Sequence, residues 1–289
     1  MPIKVLVLGS SGMAGHVLTH VLRSEPNNYT VIDVSRTNSL ISPAVLLDVR
    51  QTIALKSIID DTQPNVIVNC VGVLNHFSEK NPDEAILLNG YLPHFLERLV
   101  FGTNCKIIHI STDCVFSGKK GDYNEFDITD GEGYYAQSKA IGEIINTKDL
   151  TIRTSIIGPE LKGNGTGLFH WFSKQSGEIK GYSNALWSGV TTIELANVIK
   201  EAIKHDLCGL YHLCSQGKIS KKDLLQLFVQ EFNSNIVIKA FEEYKVDKSL
   251  INTRCDFSYK VPSYNMMIKE MHQWIRNNAY LYEEYDHLL

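Results

Sequence analysis

Six short aliphatic runs punctuate the first 158 residues, and longer stretches with helical spacing separate most of them. The runs are IKVLVLG (3–9), YTVIDVS (29–35), AVLLDV (44–49), NVIVNCVG (65–72), KIIHIST (106–112) and LTIRTSIIG (150–158). They are apolar almost throughout rather than at alternate positions, the pattern of strands covered on both faces. Helical patterns fall at 12–23, 51–62, 83–101 and 134–147. This alternation predicts an α/β fold with a parallel sheet and right-handed crossovers.

The rhythm changes after IIGP (156–159). ELKGNGTG (160–167) reads as a glycine-rich loop, 191–205 as a helix and GLYHLCS (209–215) as one more strand. Segments 219–232 and 266–275 read as helices of a smaller lobe. The expected division is therefore a Rossmann-type doubly wound domain over 1–158, with a returning helix and strand near 191–215. A smaller C-terminal lobe over 159–190 and 216–289 would bind substrate, since clefts between lobes commonly take ligands.

Composition is that of an average soluble chain of 289 residues: 44% hydrophobic, 21% charged, and a formal net charge of −4. No block of like charge favours nucleic acid or an acidic membrane surface. No apolar run reaches the ~20 residues of a membrane span. MPIKVLVLGSSG leads into a glycine turn rather than a cleavage site, so it reads as a strand and the expected location is the cytoplasm. The six cysteines form no CxxC pair, which predicts reduced, buried thiols. His16 and His20 lie four apart, but no third ligand is evident and no metal site is expected.

The first run ends in VLGSSGMAGH, with Gly9, Gly12 and Gly15 spaced G-x-x-G-x-x-G between a strand and a helix. Such a turn brings backbone close to a pyrophosphate at a helix N-terminus, which attracts it through free N–H groups and the helix dipole. Ser11 and Met13 fall in the same turn. The second strand decides the adenosine ribose. Its acid, Asp33, comes two residues before the tip, which carries Ser35 and Arg36. Arg36 suits a 2′-phosphate and NADP(H); Asp33 acting on the ribose hydroxyls would instead suit NAD(H).

GEGYYAQSKAIGE (131–143) contains two adjacent tyrosines. Tyr134 has Ser138 four residues on, whereas Tyr135 has Lys139, and residues four apart share a helix face. Reduction of a ketone needs a proton donor active near neutral pH, and an ammonium beside a phenol favours the phenolate. Tyr135 with Lys139 is therefore the expected pair. IHISTDCVFSG (108–118) puts Ser111 and Thr112 at the end of the fifth strand, where open α/β sheets bind ligands. Either hydroxyl there could hold a substrate oxygen.

Together Gly9/Gly12/Gly15, STD (111–113) and YYAQSKAIGE (134–143) resemble the extended short-chain dehydrogenase/reductase superfamily. ISTDCVFSG and RTSIIGP (153–159) resemble its dTDP-4-dehydrorhamnose reductase branch. The resemblance implies NADPH- or NADH-dependent reduction of the 4-keto group of a nucleotide-linked 6-deoxyhexose, with Thr112, Tyr135 and Lys139 as the catalytic triad. It further implies that Asp48 and Val49 border the adenine and that Cys70, Val71 and Gly72 line the cofactor cleft. By the same resemblance Asn89 supports Lys139 through water, and Ser111 and Ile156 lie near the cofactor. Leu74, Asn75, Asp113 and Trp187 are the expected substrate contacts besides Thr112.

Three positions depart from that branch: Cys114 replaces its usual aromatic, Ile156 its frequent tryptophan, and 72–85 lacks its V-D-x-A-E pattern. These leave the sugar open, with a UDP-linked 2-acetamido-4-keto-6-deoxyhexose fitting as well as a dTDP-linked one. A nucleotide-sugar epimerase or dehydratase is the alternative enzyme. A dinucleotide-binding regulatory subunit is the non-catalytic one. The expected partner is a nucleotide sugar, with a homodimer admitted and neither nucleic acid nor membrane.

Overall fold

The computed structural model describes residues 1–37 and 44–289. These divide into two compact units. The first comprises Met1–Ser117, Ile128–Arg153 and Ala196–Tyr211, and the second Gly118–Asp127, Thr154–Leu195 and His212–Leu289.

The first unit begins with β1 (Ile3–Leu8), α1 (Met13–Arg23), β2 (Tyr29–Ser35), β3 (Val45–Leu46), α2 (Thr52–Thr62) and β4 (Val66–Asn69). Then come α3 (Asn75–Lys80), α4 (Pro82–Ala85), a π-helical turn (Ile86–Tyr91), α5 (Leu92–Leu99), β5 (Lys106–Thr112), α6 (Gly133–Ile141) and β6 (Leu150–Thr154). After β7 (Ile156–Ile157), α7 (Leu168–Ser173), β8 (Glu178–Trp187) and β9 (Val190–Thr191), α8 (Thr192–Lys204) and β10 (Gly209–His212) complete the large sheet. Its seven strands run in the order β10-β6-β5-β4-β1-β2-β3, with β3, β2, β1, β4 and β5 pairing in parallel. The sheet is flanked by helices, and its order is the doubly wound one, reversing between β1 and β4.

The predicted strands form because their apolar side chains are shielded on both faces. Val5, Leu6, Val7, Leu8, Ile67, Val68, Ile107 and Ile108 are all fully buried. One cluster packs Leu6, Leu8, Val34, Ile67 and Ile107 against Leu55 and Ile59 of α2 and Phe95 and Leu96 of α5. Helix α1 buries Val17, Leu18, Val21 and Leu22, successive neighbours on one face.

Four elements differ from expectation. The strand expected over 150–158 splits into β6, in the large sheet, and β7, which pairs with β9 in a separate sheet. The third strand shrinks to Val45–Leu46, both exposed, because it pairs on one side only, at the edge of the sheet. The helix expected over 83–101 is interrupted by the π-helical turn, and that expected over 134–147 stops at Ile141, where Gly142 caps it.

The second unit is not helices alone. Strands β11 (Ile219–Ser220) and β12 (Val237–Asp247) flank β8 in a three-stranded sheet. β11 runs antiparallel and β12 parallel to β8. Helices α9 (Lys221–Glu231) and α10 (Tyr264–Asn277) are present near the expected positions. β12 is mostly exposed, so its sequence lacks the apolar run that marks strands of the large sheet. Among the described residues no helix is long and apolar enough to cross a membrane. All six cysteines are free, but only Cys105 is buried and Cys255 is exposed, so burial of the thiols is not general.

Candidate active site

The sheet order places the loops after β1 and β4 side by side: Cys70 N–H donates to Leu8 O at 3.0 Å, and Leu8 pairs with Asn69. This is the crevice where doubly wound sheets take ligands. Gly9 has φ +81°, and a Cβ on it would stand 3.1 Å from the Cys70 carbonyl carbon. A Cβ on Gly15 would stand 2.2 Å from Gly9 O, so any larger residue would force α1 off the strand end. Gly12 caps α1 with no side-chain hydrogen bond, and no acid occupies the first turn. Among the described residues, Ser10 Oγ is buried there without a hydrogen-bond partner. Unblocked backbone, an uncapped helix start and an orphan hydroxyl fit a dinucleotide pyrophosphate. Ser11 and Met13 sit in this turn; His16 instead turns inward, within 2.8 Å of Gly12 O, and burial pushes it down to about 4.

Near the tip of β2, Arg23 of α1 pairs with Oδ1 of buried Asp33, whose Oδ2 has no hydrogen-bond partner among the described residues. Ser35 Oγ donates to the Thr37 carbonyl and Arg36 is exposed. Arg36 also acts on Asp48, whose carboxyl is held below its usual range mainly by Arg50. Arg50 chelates it through Nε (3.0 Å to both oxygens) and Nη2 (2.6 Å). Val49 is buried beside it.

After β4, Val71 N–H donates to Asn69 Oδ1 at 3.1 Å. Asn89, on the π-helical turn, holds the same loop: its Oδ1 accepts from Val73 N–H (2.8 Å) and its Nδ2 donates to Val73 O (3.0 Å) and Ser138 Oγ (3.1 Å). Its amide is spent on Val73 and Ser138, with Gly72 close against it. Leu74 caps α3 and Asn75 opens it, both exposed.

Thr112 ends β5. Its Oγ1 accepts from Cys114 N–H (3.1 Å) and donates to Asp113 Oδ1 (3.1 Å), and the hydroxyl acts on the Tyr135 phenol. Tyr135 and Lys139 lie one turn apart on α6, as the spacing predicts. Their electrostatics do not follow the prediction. Burial pushes the Tyr135 phenol up from its usual value, Cys114 and Asp113 push it the same way, and only the Thr112 hydroxyl pulls it down. Lys139 is 4% exposed and turns its Nζ to Ile110 O at 2.5 Å, with His109 Nε2 3.4 Å away. Burial lowers Lys139 to about 8, against the opposing pull of Glu143 and Cys70. Cys70 itself is pushed up to about 12 by burial.

Beneath this pair lies a network that the reading of the residues missed. Ser111 Oγ donates to Glu143 Oε1 (2.7 Å), and Arg153 grips Glu143 through Nε and Nη2, each at 2.7 Å. Asn69 and His109 are register partners on β4 and β5, both fully buried. Their signal was present: each is a polar residue directly following an aliphatic run of its strand.

Two expected contacts, Ile156 and Trp187, belong to the second unit. Ile156 is on β7, half-buried. Trp187 is 2% exposed, with the Tyr264 ring 5.7 Å and the Lys221 ammonium 4.7 Å from its ring centre. That is a packed indole rather than an open stacking surface.

A glycine-cradled sheet crevice with threonine, tyrosine and lysine at its carboxyl edge defines a dinucleotide-dependent protein of the extended short-chain dehydrogenase/reductase type. The chain belongs to the RmlD substrate binding domain family, whose model matches residues 3–250. It is 27% identical over 249 residues to the spore coat polysaccharide biosynthesis protein SpsK of Bacillus subtilis, covering 83% of this chain and 84% of that one. It is 28% identical over 235 residues to the dTDP-4-dehydrorhamnose reductase of Aggregatibacter actinomycetemcomitans, covering 76% of each. Among solved structures, the dTDP-4-dehydrorhamnose reductase of Bacillus anthracis in complex with NADP superposes with a TM-score of 0.81 at 21% identity. That match covers 94% of this chain and 99% of the other.

Proposed function

We propose that the protein reduces the 4-keto group of a nucleotide-linked 6-deoxyhexose with NADPH, in the making of a deoxysugar for polysaccharide. The observation that carries this reading is Thr112 at the end of β5, with Tyr135 and a buried Lys139 one turn apart on α6, at the edge of the glycine-lined crevice. In this reading the first unit holds the dinucleotide and the second the sugar nucleotide.

A bound nicotinamide supplies the hydride. Tyr135 gives its proton to the carbonyl oxygen as negative charge develops there. Thr112 steadies that oxygen, which requires its single hydroxyl proton to turn from Asp113 toward the substrate. The phenol's raised basicity keeps Tyr135 protonated until substrate arrives; supporting the phenolate left behind then requires the Lys139 amine to turn from Ile110 O toward it. Ser111, Glu143 and Arg153 hold the strand end beneath them. Asp33 is buried and paired with Arg23 through one oxygen, which draws that acid back from a ribose, whereas Arg36 is exposed to meet a 2′-phosphate; this supports NADPH over NADH.

The test is NADPH oxidation with a panel of dTDP- and UDP-linked 4-keto-6-deoxyhexoses. Stoichiometric NADPH loss with a reduced sugar supports the reading. Sugar conversion without net NADPH loss would instead assign the protein to the epimerases or dehydratases, and no turnover across the panel would favour a regulatory role.

A further inference from the structure

We infer that His109, held in one tautomer by Asn69, is a positioning residue that weakens the hold of Lys139 on its proton. The argument is one of donors and acceptors. Asn69 cannot present either end of its amide at will, because Val71 N–H needs Oδ1 as its acceptor at 3.1 Å. The NH2 group therefore faces His109 Nδ1, 3.2 Å away, and donates to it. A ring nitrogen that accepts carries no hydrogen, so the proton of the neutral imidazole sits on Nε2. Nε2 lies 3.4 Å from Lys139 Nζ. An ammonium there would set N–H against N–H, whereas an uncharged amine offers a lone pair to the imidazole. The geometry thus favours the uncharged lysine.

Burial acts in the same direction, and it also keeps His109 neutral by pushing the imidazole well below its usual range. Lys139 and the more distant His94 add to that push on His109. Against it stand Glu143, in the turn after α6, and Cys70 after β4, both of which favour the charged amine. Ile110 O accepts from either form. The lysine is left with a midpoint of about 8, where it can gain or lose a proton under working conditions. The consequence for turnover rests on the proposed reduction; the position of the proton does not.

The experiment is carried out on the full chain without substrate. Nitrogen-15 NMR of the His109 ring reads the tautomer, and carbon-13 at Lys139 Cε, assigned through Lys139→Arg, reads the lysine titration. Wild type is expected to carry the imidazole proton on Nε2. In Asn69→Asp a carboxylate accepts both from Val71 and from Nδ1–H, so the proton should move to Nδ1. The Lys139 midpoint should then rise by about one pH unit or more. A wild-type proton on Nδ1 overturns the inference, and that measurement needs no variant to fold. So does an Asn69→Asp protein whose lysine titrates where wild type does. Neither result depends on whether the protein reduces any sugar.

Discussion

Arg153 and Glu143 form a two-point ion pair, 2.7 Å at each contact, with both side chains 4% exposed. The Phe116 ring packs on the guanidinium, 5.1 Å from its centre, and Ser111 donates to the same carboxylate. The pair joins the end of β5, the turn after α6 and β6 beneath the proposed reaction centre.

Breaking one side of that pair leaves the other charge buried and alone. Glu143→Leu and Arg153→Met should each cost about 3–5 kcal/mol of stability. The double variant should recover much of the loss, since it leaves neither charge unpaired. Urea unfolding of the three proteins measures this, and losses that simply add would show that the two groups are not coupled.

Tyr135→Phe removes the proton donor while keeping the ring. Turnover should fall by roughly 10²–10⁴-fold, with NADPH affinity within about twofold of wild type, because the cradle of Gly9, Gly12 and Gly15 is untouched. Steady-state kinetics beside a fluorescence titration of NADPH checks both. Turnover equal to wild type would remove Tyr135 from the mechanism.

Arg36→Ala should weaken NADPH by roughly ten- to a hundredfold, the worth of charge-assisted hydrogen bonds to a 2′-phosphate, and leave NADH nearly unchanged. Calorimetric titration with each cofactor tests it. Equal losses for both would reject the 2′-phosphate assignment.

Lys139 contributes to the pH dependence of stability with a definite sign. It titrates at about 8 when folded and near ~10.4 when unfolded. Between those values the unfolded chain binds more protons, so stability from this group rises with pH across the window. Below it the full penalty of burying the ammonium is present. Lys139→Met should therefore be favoured over wild type most at neutral pH, with the difference shrinking as pH climbs through the window. Urea midpoints from pH 7 to ~10 follow it, and a difference that stays constant would contradict the assignment.

The alternation of apolar runs and helical patterns was enough to foretell the parallel sheet, because a strand buried on both faces must be aliphatic along its length whatever packs on it. The G-x-x-G-x-x-G turn was legible for the same reason: Gly15 meets Gly9 O at a distance only hydrogen fits, and that constraint is local. The spacing of Tyr135 and Lys139 likewise placed them one helical turn apart without further help.

What lies between those side chains was decided elsewhere. Whether Lys139 favours the phenolate of Tyr135 or turns to Ile110 and His109 depends on strands β4 and β5, which are remote in the chain from α6. The partner of Asp33 is Arg23, brought to it by the packing of α1 on the sheet. The three-stranded sheet of the second unit escaped notice because β12 is largely exposed and its polar residues carry no periodic apolar signal. Local chemistry writes an element and its motif into neighbouring residues; the charge on a buried group is set by whatever distant chain removes its water.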